Sequence, residues 1–159
     1  MTRILLAAVI AVSLAAASPS GAARAAGKDS YYYPPVNSEE VFARQRAAVP
    51  LADRTVRVGF VTQITKAQLA APESPRFVIF AKGDEAQHMI IIALDDEVFK
   101  TIYRARAVLA QLTSNVRGAE LFVNKIQDHA TWFDLAKMLG FEDMVISDGA
   151  TWSHRVIFE

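Results

Sequence analysis

The sequence predicts an α+β fold: a mainly antiparallel sheet of about five to six strands, with two or three helices packed on one side. Its 159 residues suit one domain, and short apolar runs separated by turn residues predict strands that pair as hairpins. Apolar residues recur at helical spacing from Val98 to Val116, which predicts one long helix. A parallel pair is allowed where this helix returns the chain to the sheet.

The first 25 residues are predicted to form a signal peptide. Arg3 precedes an apolar stretch, Ile4–Ala17, and a small-x-small pattern ends at Ala25. The stretch is shorter than the roughly 20 residues that span a bilayer, so we expect cleavage before Ala26 rather than a membrane anchor. The mature chain would then be exported, periplasmic in a Gram-negative bacterium, and without a membrane span.

Composition and motifs exclude several kinds of site. Lys and Arg together number 17, as do Asp and Glu, so no overall charge favours nucleic acid as a partner. The absence of cysteine excludes disulfides, thiolate catalysis and cysteine-ligated metals. The chain has neither a glycine-rich phosphate loop nor a G-x-S-x-G frame around Ser147, Asp148 and Gly149. We therefore predict no catalytic residue from motifs and assign no cofactor.

Residues 26–37 are predicted to form an extended arm ahead of a single domain at residues 38–159. Tyr31, Tyr32 and Tyr33 precede Pro34 and Pro35, and a residue before a proline is restricted to extended conformations. The tyrosine rings either pack on the domain or dock a protein partner, since tyrosine is enriched at interfaces.

Local signals assign the first elements of the domain. Asn37 and Glu40 resemble a capping box, which predicts a short helix that buries Val41 and Phe42. Apolar residues alternate with period two from Thr55 to Thr65, which predicts a strand with one better buried face.

The central unit is predicted to be a hairpin followed by the main helix. Apolar runs at Phe77–Ala81 and Met89–Leu94 flank a polar connector that contains glycine, as in a hairpin inside a sheet. Asp95 and Asp96 follow at once and are predicted to cap the main helix. Gly118 is the expected end of that helix.

The C-terminal part is predicted to be a strand, a helix and a closing hairpin. The strand is expected at Glu120–Ile126, and the helix is expected to begin after Thr131 and to end at Gly140. Asp148 and Gly149 lie between apolar runs, which predicts a hairpin. One face of the last strand is predicted to carry Trp152, His154, Val156 and Phe158.

Histidines and carboxylates are the first candidate site residues. A metal site could join His88, His129 and His154 with Asp95 or Asp96, because ligands need not be close in sequence. No ligand spacing connects these histidines, so we favour structural roles and predict no metal. The densest carboxylate group, Asp95 to Glu97, could bind a cation, but a helix start accounts for it.

Basic and aromatic residues are the second group of candidates. Lys100, Arg104, Arg106 and Arg117 could form a basic strip that binds an anion, although a solvated helix face explains them as well. The two tryptophans could be core residues or binding anchors. These are Trp132 and Trp152.

Four stretches cover most of the mature chain: VRVGFVTQITKAQLAAPESPRFVIFAKG, IIIALDDEVFKTIYRARAVLAQLTS, FDLAKMLGFE and SDGATWSHRVIF. They resemble a family of small exported bacterial proteins labelled "molybdopterin-guanine dinucleotide biosynthesis protein A". The nucleotidyltransferase of that name carries an L-A-G-G-x-S-x-R-M-G loop followed by a lysine, and this sequence has no such loop. No catalytic residue is therefore carried over, and the resemblance implies an association with exported molybdoenzymes or respiratory complexes.

Three hypotheses for function follow. The first is a non-catalytic periplasmic accessory domain that binds a protein partner, associated with a redox or membrane complex. The second is a protein that binds a small ligand or a molybdenum-cofactor-related molecule, and it requires the candidate groups to converge on a pocket. The third is a hydrolase or transferase, which requires a histidine and a carboxylate within hydrogen-bond reach.

Overall fold

A computed structural model of the chain describes residues 32–44, 52–95, 99, 101–117 and 130–159. Within these ranges lie five strands and three helices, which confirms the α+β class. The elements are β1 Ser38–Phe42, α1 Arg54–Ala70, β2 Phe77–Lys82, β3 His88–Ala93, α2 Ile102–Arg117, α3 Trp132–Met138, β4 Asp143–Ser147 and β5 Ser153–Phe158.

Some predictions fall outside the described residues. The signal peptide and the strand expected at Glu120–Ile126 are among them. The candidate site residues that also lie outside are Tyr31, Asp96, Glu97, Lys100 and His129. Among the described residues, no helix has the length and apolar character needed to cross a membrane.

The five strands form one mixed sheet in the order β1-β5-β4-β3-β2. The β2–β3 and β4–β5 pairs are antiparallel, whereas β3–β4 and β1–β5 are parallel. The prediction of a mainly antiparallel sheet was therefore wrong, although a parallel pair after the main helix was anticipated. The second parallel pair arises because the first strand adds beside the last one, a contact that no local pattern indicates.

Both predicted hairpins are confirmed, but the first does not lie inside the sheet as expected, because β2 is its last strand. Ile79 pairs with Ile91 in the first, and Ile146 pairs with His154 in the second. In the loop of the second hairpin, Asp148 Oδ1 accepts hydrogen bonds of 2.8–2.9 Å from three successive backbone N–H groups. Gly149 has φ +78°, which a glycine adopts without strain.

The strand predicted from Thr55 to Thr65 is wrong, because this segment lies in helix α1. Asp53 Oδ1 accepts from Val56 N at 2.9 Å and caps the helix. The apolar residues Val56, Phe60 and Ile64 recur every four residues, a spacing that satisfies both period two and a helical face. The pattern was thus ambiguous, and packing of the apolar face against the core decided for the helix.

The short helix predicted after Asn37 is also wrong, since Ser38–Phe42 forms β1. The Asn37 side chain accepts a hydrogen bond from Ser153 N at 2.8 Å instead of capping a helix. Asn37 N donates to Ser153 O at 3.0 Å, which begins the parallel ladder with β5. A tertiary contact across more than a hundred residues of sequence therefore overrides the local capping signal.

The two later helices begin and end at identifiable groups. Helix α2 begins at Ile102, and the Thr101 hydroxyl accepts from Arg104 N at 3.3 Å, so Thr101 takes the role predicted for Asp95 and Asp96. Helix α3 is confirmed: Thr131 and Asp134 form a capping box. Its end is marked by Gly140 at φ +76°.

One core cluster joins the sheet to all three helices. It includes Met89 and Ile91 of β3 together with residues of α1, α2 and α3. Ile90 and Val145 point to the opposite face of the sheet and are also almost completely buried. The arm contacts this second face, where the Tyr32 ring lies 5.9 Å from the Phe80 ring.

A buried arginine connects three segments at one end of the fold. The Arg57 guanidinium, in a residue only 6% exposed, donates to the carbonyl oxygens of Ala52, Glu85, Leu139 and Gly140. We call these five residues the Arg57 hub. The hub joins the start of α1, the β2–β3 turn and the end of α3, so a charge on one helix holds together segments distant in sequence.

Candidate functional site

A cleft of about 320 Å³ lies between β1, α2 and the start of α3. Its volume is at the lower end of the range of small-ligand pockets, roughly 300–1,000 Å³. Most of the walls are apolar, and Glu40 and Arg106 are the charged residues among them. The lining residues are Glu40, Val41, Phe42, Arg106, Leu109, Ala110, Thr113, Thr131, Trp132 and Phe133.

Two aromatic rings and a buried carboxylate hold β1 and α3 together on either side of the cleft. Phe42 and Phe133 pack edge to face, with ring centroids 5.3 Å apart. The fully buried Asp134 accepts from Arg44 at 3.1 Å, which ties the chain after β1 to helix α3. Trp132 N donates to the Thr113 hydroxyl at 3.0 Å, so α2 and α3 are joined as well.

The α2 wall continues onto the protein surface. Arg106, Ala110 and Thr113 are spaced four and three residues apart, so they lie on one side of the helix. Tyr103, three residues before Arg106, extends the same stripe and is 80% exposed. On the strand side, Val41 is 53% exposed. Tyr103 therefore extends the α2 wall, whereas the Val41 side chain alternates with those of Glu40 and Phe42 and lies on the other face of β1.

Four residues form a polar network beside the cleft, which we call the β1 network. Arg106 contacts Glu40 Oε2 at 3.1 Å, and Glu40 Oε1 lies 3.3 Å from His154 Nε2. On the other side of the imidazole, Nδ1 is 2.8 Å from the Ser38 hydroxyl. Ser38, Glu40, His154 and Arg106 are thus connected in one chain of polar contacts.

His154 is the buried centre of the β1 network. It is 5% exposed, and the Trp152 ring stacks on it with centroids 6.2 Å apart and planes 11° apart. Although Glu40 is close, its direction does not satisfy hydrogen-bond geometry, so Nε2 is buried without a hydrogen bond to a described group. A buried nitrogen without a hydrogen bond lowers the stability of the fold, so a purely structural role does not explain this arrangement.

β1 lies at an edge of the sheet. It pairs with β5 on one side, and no strand in the described part of the chain pairs with its other side. An edge strand presents backbone N–H and C=O groups to which another extended segment can bind. This outer edge lies beside the cleft, because Glu40, Val41 and Phe42 belong to both.

The three-histidine metal hypothesis has no geometric support. His88 is in register with Asp143 on one face of the sheet, while His154 shares the opposite face with core residue Val156. His88 and His154 therefore cannot share an ion, and His129 lies outside the described residues. No group of three metal-ligating side chains is found in the described ranges.

A second histidine–carboxylate pair lies on the arm side of the sheet. His88 Nδ1 is 3.2 Å from Asp143 Oδ2. Burial raises the pKa of Asp143, and the charges of His88 and Arg155 offset part of this effect. Nearby, Lys82 donates to the Tyr32 hydroxyl at 2.8 Å, which holds the arm on this face.

The described residues of the acidic junction and of the basic strip do not converge. Asp95 is exposed and pairs with Arg76 at 3.5 Å. Of the basic residues, Arg106 lines the cleft, Arg104 is exposed, and Arg117 donates to the Ala130 carbonyl at 3.2–3.3 Å.

Both tryptophans belong to the site region. Trp132 lines the cleft and is otherwise buried in the core, and Trp152 stacks on His154. Sequence reasoning missed the cleft because Glu40 and Phe42 were placed on a helix. In the run SEEVF only the alternation of Glu40 and Phe42 could have suggested a strand, and that signal is weak.

Comparison of the chain with protein-family models, curated proteins and solved structures finds no match. The function therefore has to be argued from the site itself.

Proposed function

We propose that this chain is an exported, periplasmic accessory domain that binds a protein partner at the cleft and the outer edge of β1. The observation that carries the proposal is the position of an edge strand directly beside an apolar cleft. Strand addition uses both features, since main-chain hydrogen bonds supply affinity and pockets for alternate side chains supply specificity. The exported family that the sequence resembles suggests partners among exported redox or membrane complexes.

The occupant that fits best is an extended segment of the partner with a large apolar side chain. In such a segment every second side chain would point toward the cleft, about 7 Å apart. The ring walls formed by Phe42, Trp132 and Phe133 favour an aromatic or branched aliphatic group. Exposed Val41 and Tyr103 would contact the segment on either side, and tyrosine is a frequent anchor at interfaces.

Charge favours an acidic residue next to that apolar one. Arg44 and Arg106 both flank the cleft region, and their side chains are 46% and 60% exposed. Each guanidinium already contacts one carboxylate, but its planar group carries five N–H donors and can bind a second. We therefore expect the partner segment to combine a large apolar residue with Asp or Glu.

A library of short extended peptides displayed on phage tests the proposal and does not require the partner protein itself. Selection against the mature domain is expected to enrich peptides with a large apolar residue beside an acidic one. The variant Ala110→Trp fills the cleft from an exposed helix position, and we expect at least tenfold weaker binding of the selected peptides. The matched control Ala107→Trp changes an exposed residue of the same helix outside the cleft and should bind normally.

Equal binding of the selected peptides to wild type and to Ala110→Trp would exclude the cleft as the binding site. Export is tested separately. The protein isolated from its own source is expected in the periplasmic fraction with Ala26 as its first residue. An intact N-terminus in the cytoplasmic fraction would exclude the export part of the proposal.

A second candidate is a small-ligand or molybdenum-cofactor-related binding protein. The volume and apolar walls of the cleft favour it, with the Glu40–Arg106 pair as the polar contact. Native mass spectrometry of the mature protein from its own source separates the two candidates. A bound small molecule that Ala110→Trp no longer retains would support the ligand, and a co-purifying protein lost in the same variant would support the partner.

A further inference from the structure

The geometry points to a chemical property beyond binding: Ser38 is an activated nucleophile toward carboxylic esters, with His154 as its base and Glu40 as the carboxylate that orients the base. The Ser38 hydroxyl lies 2.8 Å from His154 Nδ1, and Glu40 Oε1 lies 3.3 Å from Nε2. A nucleophile in contact with a base that is oriented by a third group is the usual arrangement for covalent catalysis.

The contacts agree on one protonation pattern. When Nδ1 accepts the proton of the Ser38 hydroxyl, the neutral imidazole carries its own proton on Nε2. That proton faces the Glu40 carboxylate, which would stabilise the positive charge formed when the imidazole takes a second proton. The imperfect direction of the Glu40 contact is common in unliganded sites, where catalytic hydrogen bonds tighten only when substrate binds.

The surroundings hold the base and the carboxylate but leave the nucleophile accessible. Trp152 stacks on His154 and restrains its ring, and Arg106 contacts the second carboxylate oxygen of Glu40 at 3.1 Å. His154 is buried, whereas Ser38 is exposed at the start of an edge strand.

The outer edge of β1 can also place a substrate carbonyl. Phe42 O accepts from Glu159 N at 3.1 Å, and backbone groups two residues apart on a strand point to the same edge, so the Ser38 N–H faces β5. We therefore expect the N–H of Glu39, the residue after the nucleophile, to point outward, where it can donate to the oxygen of a tetrahedral intermediate. Glu40, two residues along the strand or about 7 Å away, already lines the cleft, which would take an apolar acyl chain.

The reaction balances with an ester and water alone. Ser38 Oγ forms a bond to the acyl carbon while its proton moves to His154 Nδ1, and the bond from the acyl carbon to the alkoxy oxygen breaks. The alkoxy group takes the proton from His154 and leaves as an alcohol. Water then attacks the acyl-serine, giving a carboxylic acid and the free Ser38 hydroxyl.

An alkyl fluorophosphonate tests the nucleophile directly on the full mature chain. In this reaction Ser38 Oγ bonds to phosphorus and fluoride leaves, so intact mass shows the adduct and peptide mapping shows its position. Wild type is expected to carry one adduct at Ser38, and Ser38→Ala none. The control Ser114→Ala removes an exposed serine of α2 and should label like wild type.

The variant Glu40→Gln tests the network without deleting the buried histidine. We expect labelling at least tenfold slower with an unchanged circular dichroism spectrum, since a glutamine cannot stabilise the imidazolium. Adducts spread evenly over exposed serines, or equal labelling rates in Glu40→Gln and wild type, would overturn the inference. Labelling does not depend on peptide binding, so the binding proposal can fail while this one holds, and the reverse.

Discussion

The Arg57 hub and the β1 network each contain an arginine, but the two guanidinium groups have different surroundings. In the hub, the guanidinium is buried, and its hydrogen bonds to described residues go to backbone carbonyls of three segments, with the exposed Glu85 carboxylate 4.0 Å away. In the β1 network, the Arg106 guanidinium is exposed and contacts a carboxylate at the rim of a cleft. A charge bonded on all sides by backbone holds a fold together, whereas a charge left partly in solvent is available to another molecule.

The hub also explains why the end of α3 needs a glycine. Arginine stays charged in proteins, so its burial requires several strong acceptors, and four carbonyls supply them. A Cβ on Gly140 would lie 2.9 Å from Arg57 Nη1, and φ is +76°. Arg106 is exposed instead of enclosed by backbone, which is why we expect changes in the two regions to separate stability from binding.

Removal of the hub cation is expected to have the largest effect. Arg57→Met leaves buried carbonyls without a donor, and we expect a loss of about 3–5 kcal/mol in the free energy of unfolding. Urea unfolding measures it, with the exposed Arg54→Met as a control expected within about 0.5 kcal/mol of wild type. Similar midpoints for both variants would show that Arg57 does not hold the segments together.

Two glycine substitutions are expected to act in opposite directions. In Gly140→Ala the new Cβ would approach Arg57 Nη1, and the backbone there is in the left-handed region. We therefore expect a loss of about 2 kcal/mol in the free energy of unfolding. Gly59→Ala lies in α1 with nothing within 4 Å, and we expect a gain of up to about 1 kcal/mol. Thermal unfolding of both variants checks the signs, and equal shifts would contradict a special role for the hub.

The β4–β5 loop is expected to make the free energy of unfolding depend on pH in the acid range. Partial burial alone would raise the pKa of Asp148, but hydrogen bonds from the Thr151 hydroxyl and from the backbone N–H groups of Trp152, Ala150 and Thr151 lower it to about 2. A lowered pKa adds stability above the unfolded value of 3.8, and this is lost as the pH falls through about 2. After a discount for solvent screening, Asp148→Asn should cost about 1 kcal/mol at neutral pH.

The same variant supplies the check on the pH range. Urea unfolding of wild type and Asp148→Asn is expected to give free energies that differ at neutral pH and converge near pH 2. A difference that persists unchanged at low pH would mean that the ionised carboxylate is not what stabilises the loop.

The smallest effect on stability is expected in the β1 network. Arg106→Gln removes an exposed ion pair, so the free energy of unfolding should change by about 0.5 kcal/mol or less. Binding of the selected acidic peptides should weaken severalfold in the same variant, measured by fluorescence titration. Destabilisation as large as that of Arg57→Met would remove the distinction between the two regions.

Elements with strong local signals were predicted correctly. The two hairpins have apolar strands around polar or Asp-Gly connectors, and α3 has its Thr131 cap and its Gly140 terminus. In each of these the turn or cap residues and the apolar pattern agree. The two elements that were assigned the wrong type lie where these signals conflicted or were ambiguous, as in Thr55–Thr65, whose apolar residues fit both a strand and a helix.

The candidate site was much harder to predict than the elements. Ser38 and Glu40 come from the first strand, Arg106 from the second helix and His154 from the last strand. No spacing in the sequence connects residues of such different positions. The histidine and the arginine were singled out, but Ser38 and Glu40 were assigned to a helix start.

The sequence by itself determined the α+β class, the two hairpins and the cap of α3, because these depend on interactions between residues close in the chain. Only the tertiary structure decided that Ser38–Phe42 is a strand, that two of the four strand pairs are parallel, and that a cleft opens beside β1. The pairing of β1 with β5 is a contact between the two ends of the domain. Its ladder hydrogen bonds are made by backbone N–H and C=O groups, which every sequence carries, so the residue types do not reveal the pairing. That contact brings Ser38 and Glu40 to His154, and with it the candidate site is formed.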